Sequence, residues 1–281
     1  MAAGLVAALP QPDFGSIELE NVTVSEFEAN DLVARGKGPW NGPTKMDAMP
    51  DVGSWIDPKN KGIWAPSVFK NDNGKYVLYF SGQRKGGRRC AGVATADYAQ
   101  GPFEATPQPL ICDDAGGGII DPVDGNALGG PKNGDYKPTP IRIQKVTRDG
   151  LTLQGSPKTI LNHAGDKNDG LMEGPAMYKR KPGSYVLFFS THCDSYDIQY
   201  AWATKPDGDF EHRKTLARSG PNQPIYEPGH MDIASDGKTI AFHGRDKPGN
   251  PKDTKRRIYI GKTKFPEGDY SDGIKVLNYQ G

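Results

Sequence analysis

Two stretches of this chain share one pattern of apolar and polar positions. Tyr76-Val-Leu-Tyr-Phe-Ser81 and Tyr185-Val-Leu-Phe-Phe-Ser190 are aromatic and β-branched runs of strand length, each closed by a serine. Each is preceded by a segment opening on an x-Pro step, Trp64-Ala-Pro-Ser-Val-Phe-Lys70 and Glu173-Gly-Pro-Ala-Met-Tyr-Lys179, and followed by an Ala-Thr pair, Ala94-Thr95 and Ala203-Thr204. The offset is 109 residues at Pro66/Pro175, Tyr76/Tyr185, Ser81/Ser190 and Thr95/Thr204, which makes this an internal repeat. Each copy predicts a first strand, a turn at Asn73-Gly74 or Pro182-Gly183, a buried second strand and a short third one.

Such a small antiparallel sheet cannot bury both faces alone. A unit of about 55 residues fits half the offset, which leaves one further unit between the copies and room for roughly five in the chain. A ring of four-stranded blades meets these constraints, because radial repetition protects the edge strands. Residues 11–63 supply the first blade but carry one alternating strand, Ile17-Glu-Leu-Glu-Asn-Val-Thr-Val24, among turn-rich sequence. The third unit opens at Gly116-Gly-Gly-Ile-Ile-Asp121-Pro122 and shows an outer hairpin, Ile141–Val146 and Leu151–Leu153 across Arg148-Asp-Gly150, without an aromatic inner strand. The fifth runs from Pro228-Gly-His230 through a turn at Asp236-Gly237 to Thr239–Gly244 and Arg257–Ile260. The fold predicted is an all-β, five-bladed propeller with its first and third blades incomplete. If terminal strands close the ring, residues 17–24 and 258–260 are the natural partners.

Composition supports this. The 281 residues include 36 Gly and 24 Pro, suited to short strands and tight turns, and no segment has a long apolar stripe of helical period. Net charge is +1, from 35 basic and 34 acidic residues, so nucleic acid and anionic membrane are not expected as partners. The clusters Arg84-Lys85, Arg88-Arg89 and Lys255-Arg256-Arg257 read as solvated loops. Cys90, Cys112 and Cys193 lie far apart with no C-x-x-C, which argues against zinc and is compatible with one disulfide and one free thiol. Residues 1–12 read as a flexible terminus or the remnant of a secretory signal, and 13–281 as a single propeller domain.

The ordered set Trp64-Ala-Pro, Ile120-Asp-Pro122, Glu173-Gly-Pro175, Pro228-Gly-His230 and Phe242-His-Gly244, at blade spacing, resembles glycoside hydrolase family 43 over about residues 46–250. The resemblance implies an inverting glycosidase that cleaves arabinofuranosyl or xylosyl linkages in plant polysaccharide; a secreted monomer with no organic cofactor is expected. In this chemistry one carboxylic acid protonates the leaving oxygen and a carboxylate about 6.5 to 9.5 Å away activates water on the opposite face of the sugar. A third carboxylate keeps the acid protonated near neutral pH.

On this resemblance Glu173 matches the general acid and Asp121 the carboxylate that modulates it. Asp13, in Pro-Gln-Pro-Asp-Phe14, is the best match to the general base, with Asp51 and Asp57 as alternatives. His243 matches the histidine associated with a central cation, often calcium, or with that cation's water shell. Trp64 and Trp55 are candidates for stacking on sugar faces. The family's acidic residue after Trp-Ala-Pro is Ser67 here. A carbohydrate-binding propeller that has lost its base is the competing expectation, and a protein-interaction scaffold a third.

Overall fold

The computed structural model describes residues 4–8, 47–113, 118–119, 140–162, 172–191, 196–219, 225–245, 247, 256–267 and 273–280, with only the backbone path given for 4–8, 257 and 275–280. Every regular element among the described residues is a β-strand. The first, β1 (Gly4–Ala8), lies in the segment read as a loose terminus or leader remnant. The first repeat forms β2 (Trp64–Lys70), β3 (Tyr76–Gln83) and β4 (Arg89–Ala96), joined at the edge of β4 by the short β5 (Glu104–Ala105) and β6 (Ile111–Cys112). The expected outer hairpin is β7 (Ile141–Val146) and β8 (Leu153–Leu161). β1 pairs with β7 in parallel, Gly4 opposite Ile141, so the third sheet takes a strand from the far N-terminus.

The second repeat forms β9 (Glu173–Lys181), β10 (Ser184–Thr191), β11 (Asp197–Ala203) and β12 (Glu211–Ala217) in one sheet. The last sheet is β13 (Tyr226–Ile233), β14 (Thr239–Arg245), β15 (Arg257–Lys264) and β16 (Lys275–Gln280). β15 lies between β14 and β16, and Ile260 pairs with both Ala241 and Gln280. From Ile260 onward the far edge of β15 is thus occupied by the C-terminal strand; residues 17–24, expected to close the ring, and the inner strand expected after Asp121, lie outside the described residues.

The chain divides into two compact units, Met1–Pro12 with Met46–Pro175, and Asp13–Lys45 with Ala176–Gly281. In the first unit Met49, Trp55, Ile56, Leu78, Phe80, Cys90, Ala94 and Phe103 form one apolar cluster. Phe80 faces Gly92 across the β3–β4 pair, where a Cβ would stand 2.4 Å from the ring, so only glycine fits. A disulfide joins Cys90 on β4 to Cys112 on β6, residues directly paired in the sheet; the third cysteine, Cys193, lies outside the described residues. The turn between β7 and β8 is held by Asp149, which accepts from the Leu151 N–H at 3.0 Å, and by the Tyr79 hydroxyl, which donates to the Gly150 carbonyl at 2.7 Å.

In the second unit Val186, Phe188, Ile198, Tyr200, Trp202, Met231, Ile240, Phe242 and Tyr259 make a continuous core. The turn into β14 is an Asp-capped one: Asp236 Oδ1 accepts the N–H groups of Lys238 and Thr239 at 2.7 and 2.8 Å. Gly237 there has φ +63° and would set a Cβ 2.2 Å from the Tyr178 hydroxyl, so both conformation and space require glycine.

Candidate active site

Three strands begin with the same backbone corner. In Trp64-Ala65-Pro66, Glu173-Gly174-Pro175 and Tyr226-Glu227-Pro228 the central residue is left-handed, with φ of +45°, +59° and +50°. A residue before proline is sterically steered to extended conformations, and a non-glycine residue at positive φ is strained. Strain of this kind persists where the surroundings over-determine it and is concentrated at functional positions. The corner turns the first residue of each strand, Trp64, Glu173 or Tyr226, away from the regular pleat.

Glu173 opens β9 and is 6% exposed, a buried carboxyl group beside the fully buried Met172. Burial of an ionisable group at the start of a strand is uncommon unless it is partnered or functional. Asp121 and Asp13, expected as modulator and base, lie outside the described residues. The two alternatives for the base each hold a local turn. Asp51 is exposed and accepts from the Gly53 N–H at 3.0 Å, and Asp57 accepts from the Lys59 N–H at 2.9 Å.

The two tryptophans separate. Trp55 is 6% exposed, packed against Phe80 with centroids 6.0 Å apart and against Gly82, so it is a core residue and no sugar can reach its faces. Trp64 is partly exposed at its left-handed corner, and one face of its indole is covered by the guanidinium of Arg89, 3.1 Å from the ring centroid. Arg89 was expected in a solvated basic loop; it is instead half-buried at the start of β4 and donates from Nη1 to the Gly62 carbonyl at 2.6 Å. Sequence reasoning missed it because the neighbours Arg84, Lys85 and Arg88 dominate the local charge. The one available clue was the entry into a repeat strand immediately after it.

His243 lies on β14 opposite Gly229, edge-on to Tyr196 with centroids 5.3 Å apart. The residue is half-buried, but Nδ1 is closed off from solvent and has no hydrogen-bond partner among the described residues. Burial pushes its pKa down to about 3, assisted by the positive charges of Arg256, His230 and Arg245, against a backbone hydrogen bond with Glu227. The imidazole is therefore neutral at any working pH. Among the described residues no three His, Cys, Asp or Glu side chains gather to hold a metal.

Next to His243, Glu227 and Arg245 form an ion pair, Nε to Oε2 2.6 Å, with side chains 17% and 5% exposed. The Glu227 N–H donates to Ser219 Oγ, and the His230 N–H donates to Ser190 Oγ at 2.7 Å. These bonds hold the strained β13 corner in place.

Comparison with known proteins gives this arrangement a family. The profile of glycosyl hydrolases family 43 matches residues 43–271. The chain belongs to that family. A probable arabinan endo-1,5-alpha-L-arabinosidase C of Aspergillus oryzae is 27% identical over 225 residues, 73% of this chain and 64% of that protein. A beta-xylosidase of Xylanibacter ruminicola is 24% identical over 254 residues, 79% of this chain and 76% of its own length. A xylosidase/arabinosidase 43A of Humicola insolens is 41% identical over 56 residues, only 20% of this chain and 16% of that one. The chain thus spans about two thirds or less of several curated relatives that it matches. Among solved structures, a thermostable family-43 glycoside hydrolase superposes with TM-score 0.60 at 24% identity, covering 77% of this chain and 75% of that one. An exo-1,5-alpha-L-arabinanase from a bovine ruminal metagenomic library does so with TM-score 0.56 at 17% identity, covering 83% and 85%. This likeness of fold bears out the all-β propeller read from the repeat.

Proposed function

We propose that this family 43 member is an inverting glycoside hydrolase acting on arabinofuranosyl or xylosyl linkages of plant cell-wall polysaccharide. The observation that carries the reading is Glu173: a buried carboxyl group delivered by a left-handed corner, at the position matching the family's acid and inside the region matched by the family profile. In the reaction proposed, Glu173 gives its proton to the leaving glycosidic oxygen as the C–O bond breaks. Asp13 takes a proton from the water that attacks the anomeric carbon from the other face, and Asp121 keeps Glu173 protonated between turnovers. Trp64 would stack on a sugar ring through the face opposite Arg89.

His243, neutral and with Nδ1 lacking a partner among the described residues, is suited to accept a hydrogen bond from a water, including one in the shell of a hydrated calcium ion. The Cys90–Cys112 disulfide supports a secreted protein, since such bonds persist in oxidising compartments. A monomer is the proposed solution state.

The test is release of reducing sugar from linear arabinan, arabinoxylan and aryl glycosides of arabinofuranose and xylose by the wild type and by Glu173→Gln. Loss of a general acid lowers the rate by about 10²- to 10⁴-fold, less on aryl glycosides whose leaving group needs little protonation. No turnover by either form, with sugar binding retained, would replace this reading with a propeller that binds carbohydrate without cutting it.

A further inference from the structure

We infer that Arg89 is a positioning residue that fixes Trp64 as a one-sided platform for a neutral pentose ring, an inference resting on the glycosidase reading above. At 3.1 Å from the centroid the guanidinium is in van der Waals contact with the indole, leaving no space for water or sugar on that side. Trp64 nevertheless keeps partial exposure, so a ligand can stack only on the opposite face. The ring cannot turn over without expelling Arg89. Arg89 in turn is held from two directions, by donation to the Gly62 carbonyl and by its place at the start of β4, next to the Cys90–Cys112 disulfide. Gly62 itself is packed against the guanidinium, where a Cβ would stand 2.7 Å from Nη1.

The backbone of the same residue also holds the Gly118–Ile119 segment. The Arg89 carbonyl accepts the Ile119 N–H at 2.9 Å, and Gly118, at φ +115°, lies close against the Arg89 backbone, where a Cβ would stand 3.0 Å from the carbonyl oxygen. Ile119 is two residues before Asp121. Arg89 therefore links the aromatic platform, through its side chain, to the Gly118–Ile119 backbone that its own main chain holds. This gives a physical reason why an arginine in a basic run is held half-buried on a strand.

The experiment is a double-mutant cycle of Arg89 and Trp64, using R89K, R89M, W64A and the two combinations. It reads kcat and KM on aryl pentosides and, independently, calorimetric binding of xylotetraose and arabinotetraose. R89M is expected to raise KM about 10-fold while kcat changes by less than about 3-fold, and R89K, which keeps the charge but not the planar fork, to fall between. In the W64A background both Arg89 substitutions lose their effect, an outcome that a merely structural role does not produce. If R89M does not fold, the R89K cycle carries the same comparison. Turnover by the wild type with Arg89 effects that persist without Trp64 overturns the positioning role and leaves the glycosidase reading intact. No turnover on any pentoside, with tetrasaccharide binding weakened by Arg89 substitution only when Trp64 is present, overturns the glycosidase reading and retains the positioning role. Neither turnover nor binding overturns both.

Discussion

Replacing Arg245 by methionine tests the buried ion pair described in the second unit. Arg245 Nε stands 2.6 Å from Glu227 Oε2 on neighbouring strands, and the two side chains are only 5% and 17% exposed. Removing one partner from a buried ion pair costs about 3 to 5 kcal/mol, because the charge left behind has neither its partner nor full hydration. Glu227 keeps some contact with solvent, which places R245M near the lower end, at about 3 kcal/mol. It also sits at φ +50° before Pro228, a strained corner of the backbone. The double variant E227Q/R245M removes both charges and is expected within about 1 kcal/mol of the wild type, since neutral replacement of a buried pair is often harmless. Urea unfolding at pH 7 measures E227Q, R245M and the double variant, with equal slopes required for comparison. As a control, Lys75–Asp97, with side chains 53% and 69% exposed, should contribute less than about 1 kcal/mol when treated in the same way. A loss below about 1 kcal/mol for R245M, or a double variant as unstable as the sum of the two singles, would refute the argument that desolvation governs this pair.

Three further outcomes follow from the geometry. Cys90→Ser frees a loop spanning 22 residues, for which the chain-entropy relation gives about 3 kcal/mol of lost stability; reductant should destabilise the wild type by a similar amount and leave the variant unchanged. Tyr79→Phe deletes the buried hydrogen bond to the Gly150 carbonyl while keeping the ring packed on Phe69, and should cost about 1 to 2 kcal/mol in thermal or urea unfolding. His243 is held neutral in the folded chain down to about pH 3, whereas the unfolded chain takes up that proton near 6.5. The unfolded state then binds more protons, so this contribution is fully present above about pH 6.5 and is lost as pH falls toward 3, by at most about 1.4 kcal/mol per unit. His243→Gln should flatten the fall in urea midpoint between pH 6.5 and 4.5, and an unchanged slope would show that the histidine does not govern it.

The repeat was legible because it rests on buried apolar periodicity. Tyr76–Ser81 and Tyr185–Ser190 are strands whose closing serines are both fully buried, and the turns at Asn73-Gly74, Arg148-Asp-Gly150 and Asp236-Gly237 fall where their residues demand. Glu173 was legible from its Gly-Pro successor. What the sequence concealed depends on long-range partners. The parallel pairing of β1 with β7 joins residues more than a hundred positions apart, and an apolar run of five residues carries no mark of its partner. Arg89 looks like its charged neighbours until Trp64 is brought beneath it, and Trp55 looks like Trp64 until Phe80 and Gly82 close over it. The ion pair of Glu227 with Arg245 is hidden because glutamate is not a residue that announces positive φ.

The recurrent left-handed corner before proline bears on how such a protein can change. Because Ala65, Gly174 and Glu227 all adopt it, the bend is set by its context and is indifferent to which residue precedes it: an indole, a carboxylic acid and a phenol ride on the same hinge of backbone. Each of these positions works as a socket, so that new chemistry can be acquired there by one codon change without redrawing the sheet that bears it.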